Sequence, residues 1–395
     1  MGTFVIVTKR LLTPLILVSL LVAAVVSTPA SASQVDDGRD EPVVLGTLTG
    51  TVAATYLTSD ANASDVDPNR ICTDEIDLDA QIGQVLMPGV DWERLGELAD
   101  LVSRGRIGGW VVLGTPDSTL AGELAALRQL APIEPLVAVD EEGGRVQRLR
   151  NVLSRLPSAA QMAATLTPDE LSEALTAHSR DMAALGFDAN LAPVLDVGGG
   201  PGIGDRAFGD EVPVVVEYGL AAMHGVEAGG LIAVVKHFPG HGSASADSHE
   251  ELPLAPTLAE LEARDLEPFR QAIAQGARAV MVAHLDVPGL SDGLPTSLSN
   301  AAVEGLLRNQ MGFDGLIMTD SLDMDAVTDR WTTPEAVELA ILAGNDIALL
   351  GNADEVDAIH LRLLDAVAAG RIDADRLADS VARILVAKGL FACAL

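Results

Sequence analysis

The chain contains few basic residues. Of its 395 residues, 25 are lysine or arginine and 57 are aspartate or glutamate, so its formal net charge at pH 7 is −32. A protein this acidic repels phosphate groups, which excludes nucleic acid and anionic membrane surfaces as favoured partners. Hydrophobic residues make up 48% of the sequence but aromatic residues only 3%. This composition indicates a globular protein whose core is built mainly from alanine, valine and leucine.

Cysteine is also scarce, since the chain has only Cys72 and Cys393. They flank the region of globular texture, so in an oxidising compartment one disulfide could join its two ends. The sequence does not give the distance between the two sulfurs, and their pairing stays open. No cysteine follows the small-residue segment near the N-terminus, so a lipid anchor has no attachment point there.

The N-terminus has the pattern of a secretory signal peptide. Lys9 and Arg10 precede an uncharged apolar run at residues 11–26, and Ala30 and Ala32 fit a cleavage site. The alternative, a membrane anchor, is disfavoured because the run is shorter than the roughly 20 residues of a spanning helix. We therefore expect residues 1–32 to be removed and the mature protein to be exported without stable insertion into a membrane.

The rest of the chain divides into a leader and one domain. Residues 33–68 are rich in Asp, Thr, Ser, Ala and Gly without a sustained apolar period, which predicts a leader or linker. From 69 to 395, short apolar runs alternate with amphipathic, helix-like stretches. The eight candidate strands are 84–87, 109–113, 136–139, 190–195, 231–235, 279–282, 315–318 and 346–350. The candidate helices are 91–104, 119–130, 168–185, 212–228, 258–275, 299–311, 333–343 and 373–388.

This alternation predicts an α/β fold, a (β/α)8 TIM-type barrel in a single catalytic domain. A doubly wound open sheet is the structural alternative. That fold would normally carry an early glycine-rich phosphate loop, which the sequence lacks.

Titratable residues follow the candidate strands. They are Asp140 after the third strand, Asp196 after the fourth, Lys236 and His237 after the fifth, His284 after the sixth and Asp320 after the seventh. Each alone could serve a turn, since strands often end in Asp or Asn. In a parallel barrel all these strand ends lie on one rim, which is where such barrels place their active sites.

The most informative segment follows the fifth candidate strand. Residues 236–242 read KHFPGHG, and Asp247-Ser248-His249 comes shortly after. A surface loop that merely happens to be rich in histidine is the alternative. An aspartate two residues from a histidine can accept its Nδ1–H and fix its tautomer, which suits the imidazole to proton transfer near neutral pH.

Asp320, at the end of the seventh candidate strand, is the second informative position. A carboxylate held at a strand end can act as a nucleophile, a general base or a metal ligand. The alternative is a helix N-cap, for which aspartate is common. Asp323 and Asp325 suit that capping role better.

Together these motifs resemble a family 3 glycoside hydrolase of the β-N-acetylglucosaminidase branch. The resemblance rests on DEEGGRVQR at 140–148, GDRAFG at 204–209, the KHFPGHG and Asp247-Ser248-His249 segments, and TDSLDM at 319–324. It runs from about residue 78 to the C-terminus and leaves out only the N-terminal segments.

The resemblance implies roles for eight residues. Asp320 would be the nucleophile of a retaining β-N-acetylhexosaminidase, and His249, paired with Asp247, the acid/base. Sugar hydroxyl contacts are implied for Asp140, Arg148, Arg206, Lys236 and His237. For the two arginines, a salt bridge to neighbouring acids at the barrel rim is the alternative. No cofactor and no metal are implied.

The implied substrates are N-acetylglucosamine-containing oligosaccharides or muropeptides, the peptidoglycan fragments of a bacterial cell wall. Export fits a secreted or wall-associated enzyme. Trp92, Trp110 and Trp331 are the only tryptophans and offer little platform for stacking a long sugar chain. Removal of a terminal sugar from its non-reducing end is therefore favoured over cleavage within a polymer.

Three other functions remain open. A histidine acid is neutral after giving up its proton and would repel phosphate less than a carboxylate would, so a phosphorylase is possible on the same site. A metal-dependent barrel hydrolase could use His237, His241, His249, His284 and Asp320 as ligands. Against it, Pro239 and Gly240 lie between the first two histidines, which are therefore not on one helical face. A non-catalytic wall-binding protein is the third alternative.

Overall fold

The described part of the chain folds into a parallel (β/α)8 barrel. A computed structural model describes residues 71–391. The barrel strands β1 to β8 are Leu86–Asp91, Gly109–Leu113, Leu136–Val139, Ala189–Asn190, Ile232–Phe238, Ala279–Val282, Leu316–Thr319 and Ala348–Leu350. Each strand pairs in parallel with the next one along the chain from β1 to β7. The fold predicted from the alternating pattern is confirmed.

The ring closes through β8. This strand pairs in parallel with β1, and a bridge between Met318 and Ile347 joins its approach to β7. The amides of Asp346 and Ile347 donate to the carbonyl of Ile317 at 2.7 and 3.1 Å. The strand order therefore returns to its start, which rules out the open doubly wound sheet.

Strand burial explains the composition of the apolar runs. All seven residues of β5 are buried, including Lys236 and His237 at its end. A parallel strand has the barrel interior on one side and the helical layer on the other, so an unbroken apolar run suits it better than an alternating one. Polar side chains at the end of such a strand therefore depend on protein partners rather than on water.

Helices cover the outside of the barrel. The α-helices are Leu78–Gln84, Ala99–Ser103, Leu120–Arg128, Ala159–Thr165, Pro168–Leu185, Val212–Ala228, Leu258–Ala263, Leu266–Ala274, Asp325–Thr328, Thr333–Ala343, Val356–Ala368 and Ala374–Ala387, and Ala301–Gln310 forms a π-helix. Three of them have the predicted bounds because capping residues, prolines or glycines mark their ends in the sequence. In Pro168–Leu185, for example, Thr167 and Glu170 form a capping box and Gly186 ends the helix at φ +103°.

Several predicted elements were wrong in their bounds, and three of them bear on the site or the barrel. Gln84 ends a helix, and β1 runs from Leu86 to Asp91 instead of over 84–87. Of the run 190–195, only Asn190 lies in the regular strand Ala189–Asn190; pairing is interrupted at Pro193, which has no amide hydrogen to donate, and resumes in an isolated parallel bridge between Val194 and Lys236. The helix predicted over 258–275 breaks at Arg264, whose φ of −141° and ψ of −70° are not helical.

The predicted signal peptide, 1–32, and leader, 33–68, lie outside the described residues, as does Cys393. Cys72 is disulfide-bonded. The backbone of the neighbouring Ile71 pairs with Phe391, so the two ends of the described chain lie together. A Cys72–Cys393 disulfide stays a prediction that this proximity supports. Among residues 71–391, no helix has both the length and the apolarity needed to cross a membrane.

Candidate active site

All eight residues predicted for the site line one cavity at the C-terminal ends of the strands. The cavity has a volume of about 330 Å³. Its lining includes Asp140, Arg148, Arg206, Lys236, His237, Asp247, His249 and Asp320. These residues lie at or after the ends of four different strands, β3, β4, β5 and β7, so the barrel topology is what brings them together.

A buried ionic network forms one wall of the cavity. The Nζ of Lys236 lies 2.8 Å from Asp140 Oδ1 and 2.7 Å from Glu142 Oε1. Arg206 donates to both carboxylate oxygens of Glu142, from Nε and Nη2, at 2.8 Å each. Burial would raise the pKa of Glu142, but Lys236 and Arg206 outweigh it and hold that pKa well below its usual value. The network therefore stays ionised and presents fixed charges to a ligand.

A second buried group orients His237. Its Nδ1 donates to Asp196 Oδ2 at 2.7 Å, and its Nε2 accepts from Arg206 Nη2 at 3.2 Å. These two contacts fix the orientation of the ring, with Nδ1 toward Asp196 and Nε2 toward Arg206. Asp196 also accepts from the backbone amide of His241 at 2.6 Å, so one carboxylate fixes both ends of the KHFPGHG turn. Burial would raise the pKa of Asp196, but His237 and His241 lower it below its usual value.

Asp320 lies at the end of β7, on the rim. Its amide donates to the carbonyl of Val282 at 2.8 Å, and its Oδ1 accepts from the amide of Ser321 at 2.8 Å. Burial opposes ionisation, but His237, His284 and Lys236 lower the pKa of Asp320 below its ordinary value. The alternative role as a helix cap is wrong, because the next helix begins five residues later. The site thus holds an ionised carboxylate with few hydrogen-bond partners.

His284 supports the segment that follows Asp320. Its Nε2 lies 2.8 Å from the carbonyl of Ser321, and its Nδ1 lies 2.7 Å from Ser297 Oγ. Burial lowers the pKa of this imidazole, so it is neutral and donates from Nε2. His284 therefore fixes the position of Ser321, the residue that follows the Asp320 carboxylate.

Asp247 and His249 form the predicted pair. Asp247 Oδ1 accepts from His249 Nδ1 at 2.7 Å and from its backbone amide at 3.1 Å. The imidazole is 63% exposed, so its Nε2 is open to the cavity and to solvent. Burial would raise the pKa of Asp247, but the hydrogen bonds from His249 lower it below its usual value. An imidazole held in this way can give or take a proton at Nε2.

Arg148 and Arg206 differ in whether they form a salt bridge at the barrel rim, the alternative to a role in sugar binding. Arg206 makes that bridge, with Glu142. For Arg148 the described residues provide neither an ion pair nor a hydrogen bond, and its Nε is buried without a partner. Arg148 is therefore a cation of the cavity wall whose donors are free for a ligand.

The structure adds three residues to the predicted set: Glu142, Asp196 and His241. Glu142 and Asp196 hold side chains that line the cavity. His241 lines it directly, and its Nδ1 is buried without a hydrogen-bond partner in the part of the chain that the structure describes. Glu142 lies in the DEEGGRVQR motif and His241 in KHFPGHG, so the motifs marked the places. The local sequence does not indicate which glutamate of the motif pairs with Lys236, because that pairing depends on tertiary structure.

The metal-hydrolase alternative requires several ligands around one point. Among residues 71–391, no three His, Cys, Asp or Glu side chains are arranged to share a metal ion. His237, His241, His249, His284 and Asp320 all belong to the site region, but two of the imidazoles already have both ring nitrogens engaged within the protein.

Comparison with known proteins gives a consistent result. The family model described as glycosyl hydrolase family 3 N terminal domain matches residues 77–387. The chain is 37% identical over 362 residues to the beta-hexosaminidase LpqI of Mycobacterium tuberculosis, covering 87% of this chain and 92% of that protein.

Solved structures agree. A family 3 glycosyl hydrolase from Mycobacterium smegmatis is 37% identical, with a TM-score of 0.76, covering 80% of this chain and 98% of that one. A family 3 β-N-acetylglucosaminidase from Paenibacillus sp. is 34% identical, with a TM-score of 0.76, covering 81% of this chain and 64% of that one. Sequence and fold therefore point to the same group of proteins.

Proposed function

We propose, from the premise that this chain belongs to glycosyl hydrolase family 3 and is a β-hexosaminidase, that it is a retaining exo-β-N-acetylglucosaminidase. The observation that carries the mechanism is the pairing of two groups on one cavity. Asp320 is an ionised carboxylate with few partners, and His249 is an imidazole oriented by Asp247 and open at Nε2. A retaining glycosidase needs one nucleophile and one acid/base, and these two groups supply them.

In the first step, an oxygen of Asp320 attacks the anomeric carbon. The glycosidic C–O bond breaks, and its electron pair goes to the departing oxygen, which takes a proton from His249 Nε2. The products are a glycosyl ester on Asp320, a neutral His249 and the free aglycone alcohol. Asp247 stabilises the protonated imidazole before the transfer, since its Oδ1 lies 2.7 Å from Nδ1.

In the second step, neutral His249 takes a proton from water, whose oxygen attacks the anomeric carbon. The ester bond to Asp320 breaks, and the carboxylate is regenerated together with protonated His249. Two displacements at one carbon give overall retention of configuration.

The ionic wall suits recognition of the sugar hydroxyls. Lys236 and Asp140 form a largely buried donor and acceptor pair, and Arg148 adds donors that have no partner among residues 71–391. Because Glu142 holds Lys236 and Arg206 in place, a bound sugar would meet a preorganised surface. A cavity of about 330 Å³ is at the small end of ligand sites, which favours one terminal sugar ring over a long chain.

The substrate class we propose is N-acetylglucosamine at the non-reducing end of peptidoglycan fragments, with the enzyme exported to a bacterial cell wall. The signal-peptide pattern of residues 1–32 supports export. The small cavity and the scarcity of aromatic platforms support short muropeptides over polymer.

Phosphorolysis is a second candidate, supported by the nature of the acid. The second step needs an acceptor beside His249, which is neutral at that stage, and a phosphate anion meets no carboxylate acid there. Hydrolysis needs only water, so we expect it to dominate.

The test is product analysis on defined substrates. N-acetylglucosaminyl-N-acetylmuramic acid, with and without its peptide, is incubated with the enzyme in phosphate-free buffer and in phosphate. We expect free N-acetylglucosamine with retained configuration in both. N-acetylglucosamine 1-phosphate as the main product in phosphate would establish the phosphorylase. Binding without turnover of any N-acetylglucosaminide would instead establish a wall-binding protein.

A further inference from the structure

A glycine-rich segment at residues 198–204 packs against the loop that carries Asp247 and His249. The amide of Gly200 donates to the carbonyl of Gly242 at 3.1 Å. At Gly202, where φ is +76°, an added Cβ would lie 2.8 Å from the Asp247 Cγ and 2.9 Å from both carboxylate oxygens. The backbone of Gly202 therefore lies directly against the Asp247 carboxylate, at a distance that no side chain would permit.

Two arginines hold this segment through its backbone carbonyls. Arg145 Nη2 donates to the carbonyl of Gly202 at 2.7 Å and to that of Ile203 at 2.8 Å. Arg206 Nη1 donates to the same Gly202 carbonyl at 3.1 Å. The Nε of Arg145 also lies 3.5 Å from Asp205 Oδ1. One peptide thus connects Arg206, which would contact the sugar, with Asp247, which orients the acid/base.

The turn Asp247-Ser248-His249, called the acid/base turn below, has a second support in the segment that follows Asp320. The carbonyl of Ser248 accepts from the amide of Ala326 at 3.3 Å, and Ser248 Oγ donates to Met324 Sδ at 3.7 Å. These contacts tie the turn to the segment that follows Asp320. His249 itself is too exposed to be fixed by packing, so its position depends on Asp247 and on the two supports of the turn.

We propose that Arg145 is a positioning residue for proton transfer, which acts by holding the Gly202 and Ile203 carbonyls and thereby the place of Asp247 and His249. The proposal rests on the proposed function of His249. Arg145 does not donate the proton. It determines how often His249 lies within reach of the glycosidic oxygen, and so affects the step that needs an acid more than the step that needs only Asp320.

The first experiment compares Arg145→Gln with Arg150→Gln. Arg150 is an exposed arginine of the same region that also donates to a backbone carbonyl, that of Gln147 at 2.9 Å, but it does not line the cavity. Each variant is assayed on a dinitrophenyl N-acetylglucosaminide, whose leaving group departs without protonation, and on a disaccharide, whose leaving group requires it. We expect Arg145→Gln to reduce kcat on the disaccharide by about 10-fold or more, part of the 10²–10⁴ that general acids supply, with a much smaller loss on the dinitrophenyl substrate. Arg150→Gln should behave like wild type on both, and Arg145→Lys should recover part of the loss.

The second experiment compares two glycine-to-alanine substitutions. Gly202→Ala places a methyl group on the Asp247 carboxylate, whereas Gly370→Ala, at a similar φ of +70°, meets nothing within 4 Å. Both place a side chain at a positive φ, so both should lower the unfolding temperature, and Gly202→Ala should lower it further because its methyl group also crowds the Asp247 carboxylate. Only Gly202→Ala should show the selective loss on the disaccharide.

His249→Ala separates the failure of this inference from failure of the proposed function. If His249→Ala loses activity selectively on the disaccharide while Arg145→Gln and Gly202→Ala lose it equally on both substrates, or not at all, the positioning role is overturned and the acid assignment stands. Equal losses on both substrates in His249→Ala would overturn the acid assignment and this inference with it.

Discussion

Two carboxylates at opposite ends of the barrel differ in how fully they are partnered. Asp346, at the N-terminal end of β8, is completely buried and accepts from Arg308 Nη2 at 2.8 Å, Ser380 Oγ at 2.8 Å, the amide of Ile317 at 2.9 Å and Arg383 Nη1 at 3.2 Å. Asp320, at the C-terminal end of β7, accepts one hydrogen bond within the described residues, from the amide of Ser321.

The difference shows what each end of the barrel is for. Asp346 has no lone pair to spare, and its partners tie the C-terminal helix and β7 together. Asp320 is kept ionised by Lys236 and by the neighbouring imidazoles, which form no hydrogen bond with its oxygens in the described part of the chain, so those oxygens stay available to react. A saturated carboxylate stabilises the fold, and an undersatisfied one carries chemistry.

The largest expected effect is on turnover in Asp320→Asn. An amide of the same shape cannot act as an anionic nucleophile, so kcat should fall by about 10³-fold or more. Unfolding by urea should show unchanged or increased stability, because few partners are lost. Turnover close to wild type would remove Asp320 from the mechanism.

Asp346→Asn should show the reverse pattern. It leaves the buried guanidinium of Arg308, and the partly exposed one of Arg383, without their counter-charge, so the free energy of unfolding should fall by about 3–5 kcal/mol. Steady-state assays at a temperature where the variant is folded should give nearly unchanged kcat. A variant that is as stable as wild type, or stable but inactive, would erase the contrast between the two ends.

A smaller effect is expected at Asp265, which lies behind the KHFPGHG turn. Burial raises its pKa to about 6, against the opposing effect of Arg264. A raised folded-state pKa means that the stabilising contribution is complete below pH 4 and is lost as pH rises through 6. Asp265→Asn should therefore be more stable than wild type at pH 7.5, by up to about 3 kcal/mol, and this gain should vanish near pH 4.

The control for that series is Asp379→Asn, at an exposed helical position. It should change stability little at either pH. A gain in Asp265→Asn that is the same at pH 4 and pH 7.5 would show that folding does not raise the pKa of the Asp265 carboxyl.

The smallest expected effect is that of a chelator. Since the proposed mechanism uses a carboxylate, an imidazole and hydroxyl-binding side chains, incubation with EDTA followed by gel filtration should leave kcat/KM unchanged. Loss of activity that zinc specifically restores would favour the metal-dependent alternative and would assign the histidines of the rim a different role.

Much of the fold and site could be predicted because local sequence determined it. The helices Pro168–Leu185, Val212–Ala228 and Thr333–Ala343 matched their predicted bounds, and caps or N-terminal prolines mark their starts. Residues placed after strands met on one rim because parallel strands in a barrel all end on the same side.

What could not be predicted depends on contacts between distant segments. Nothing local to Glu142 indicates that it, and not Glu141, pairs with Lys236 and Arg206. Glu141 instead turns away from the cavity to Gln147 and His178. The contact of Gly202 with Asp247 likewise joins loops 45 positions apart in the chain, and the sequence showed only a glycine-rich stretch.

The covalent intermediate offers the most direct test of the central claim, that the undersatisfied carboxylate on the rim is the nucleophile. A fluorinated N-acetylglucosaminyl fluoride, which forms the glycosyl-enzyme faster than it is hydrolysed, is incubated with the enzyme, and the labelled peptide is sequenced by mass spectrometry. We expect a single ester on Asp320, absent from Asp320→Asn and formed at a near-normal rate in His249→Ala. Labelling of Asp323, or turnover with no ester on any residue, would contradict it.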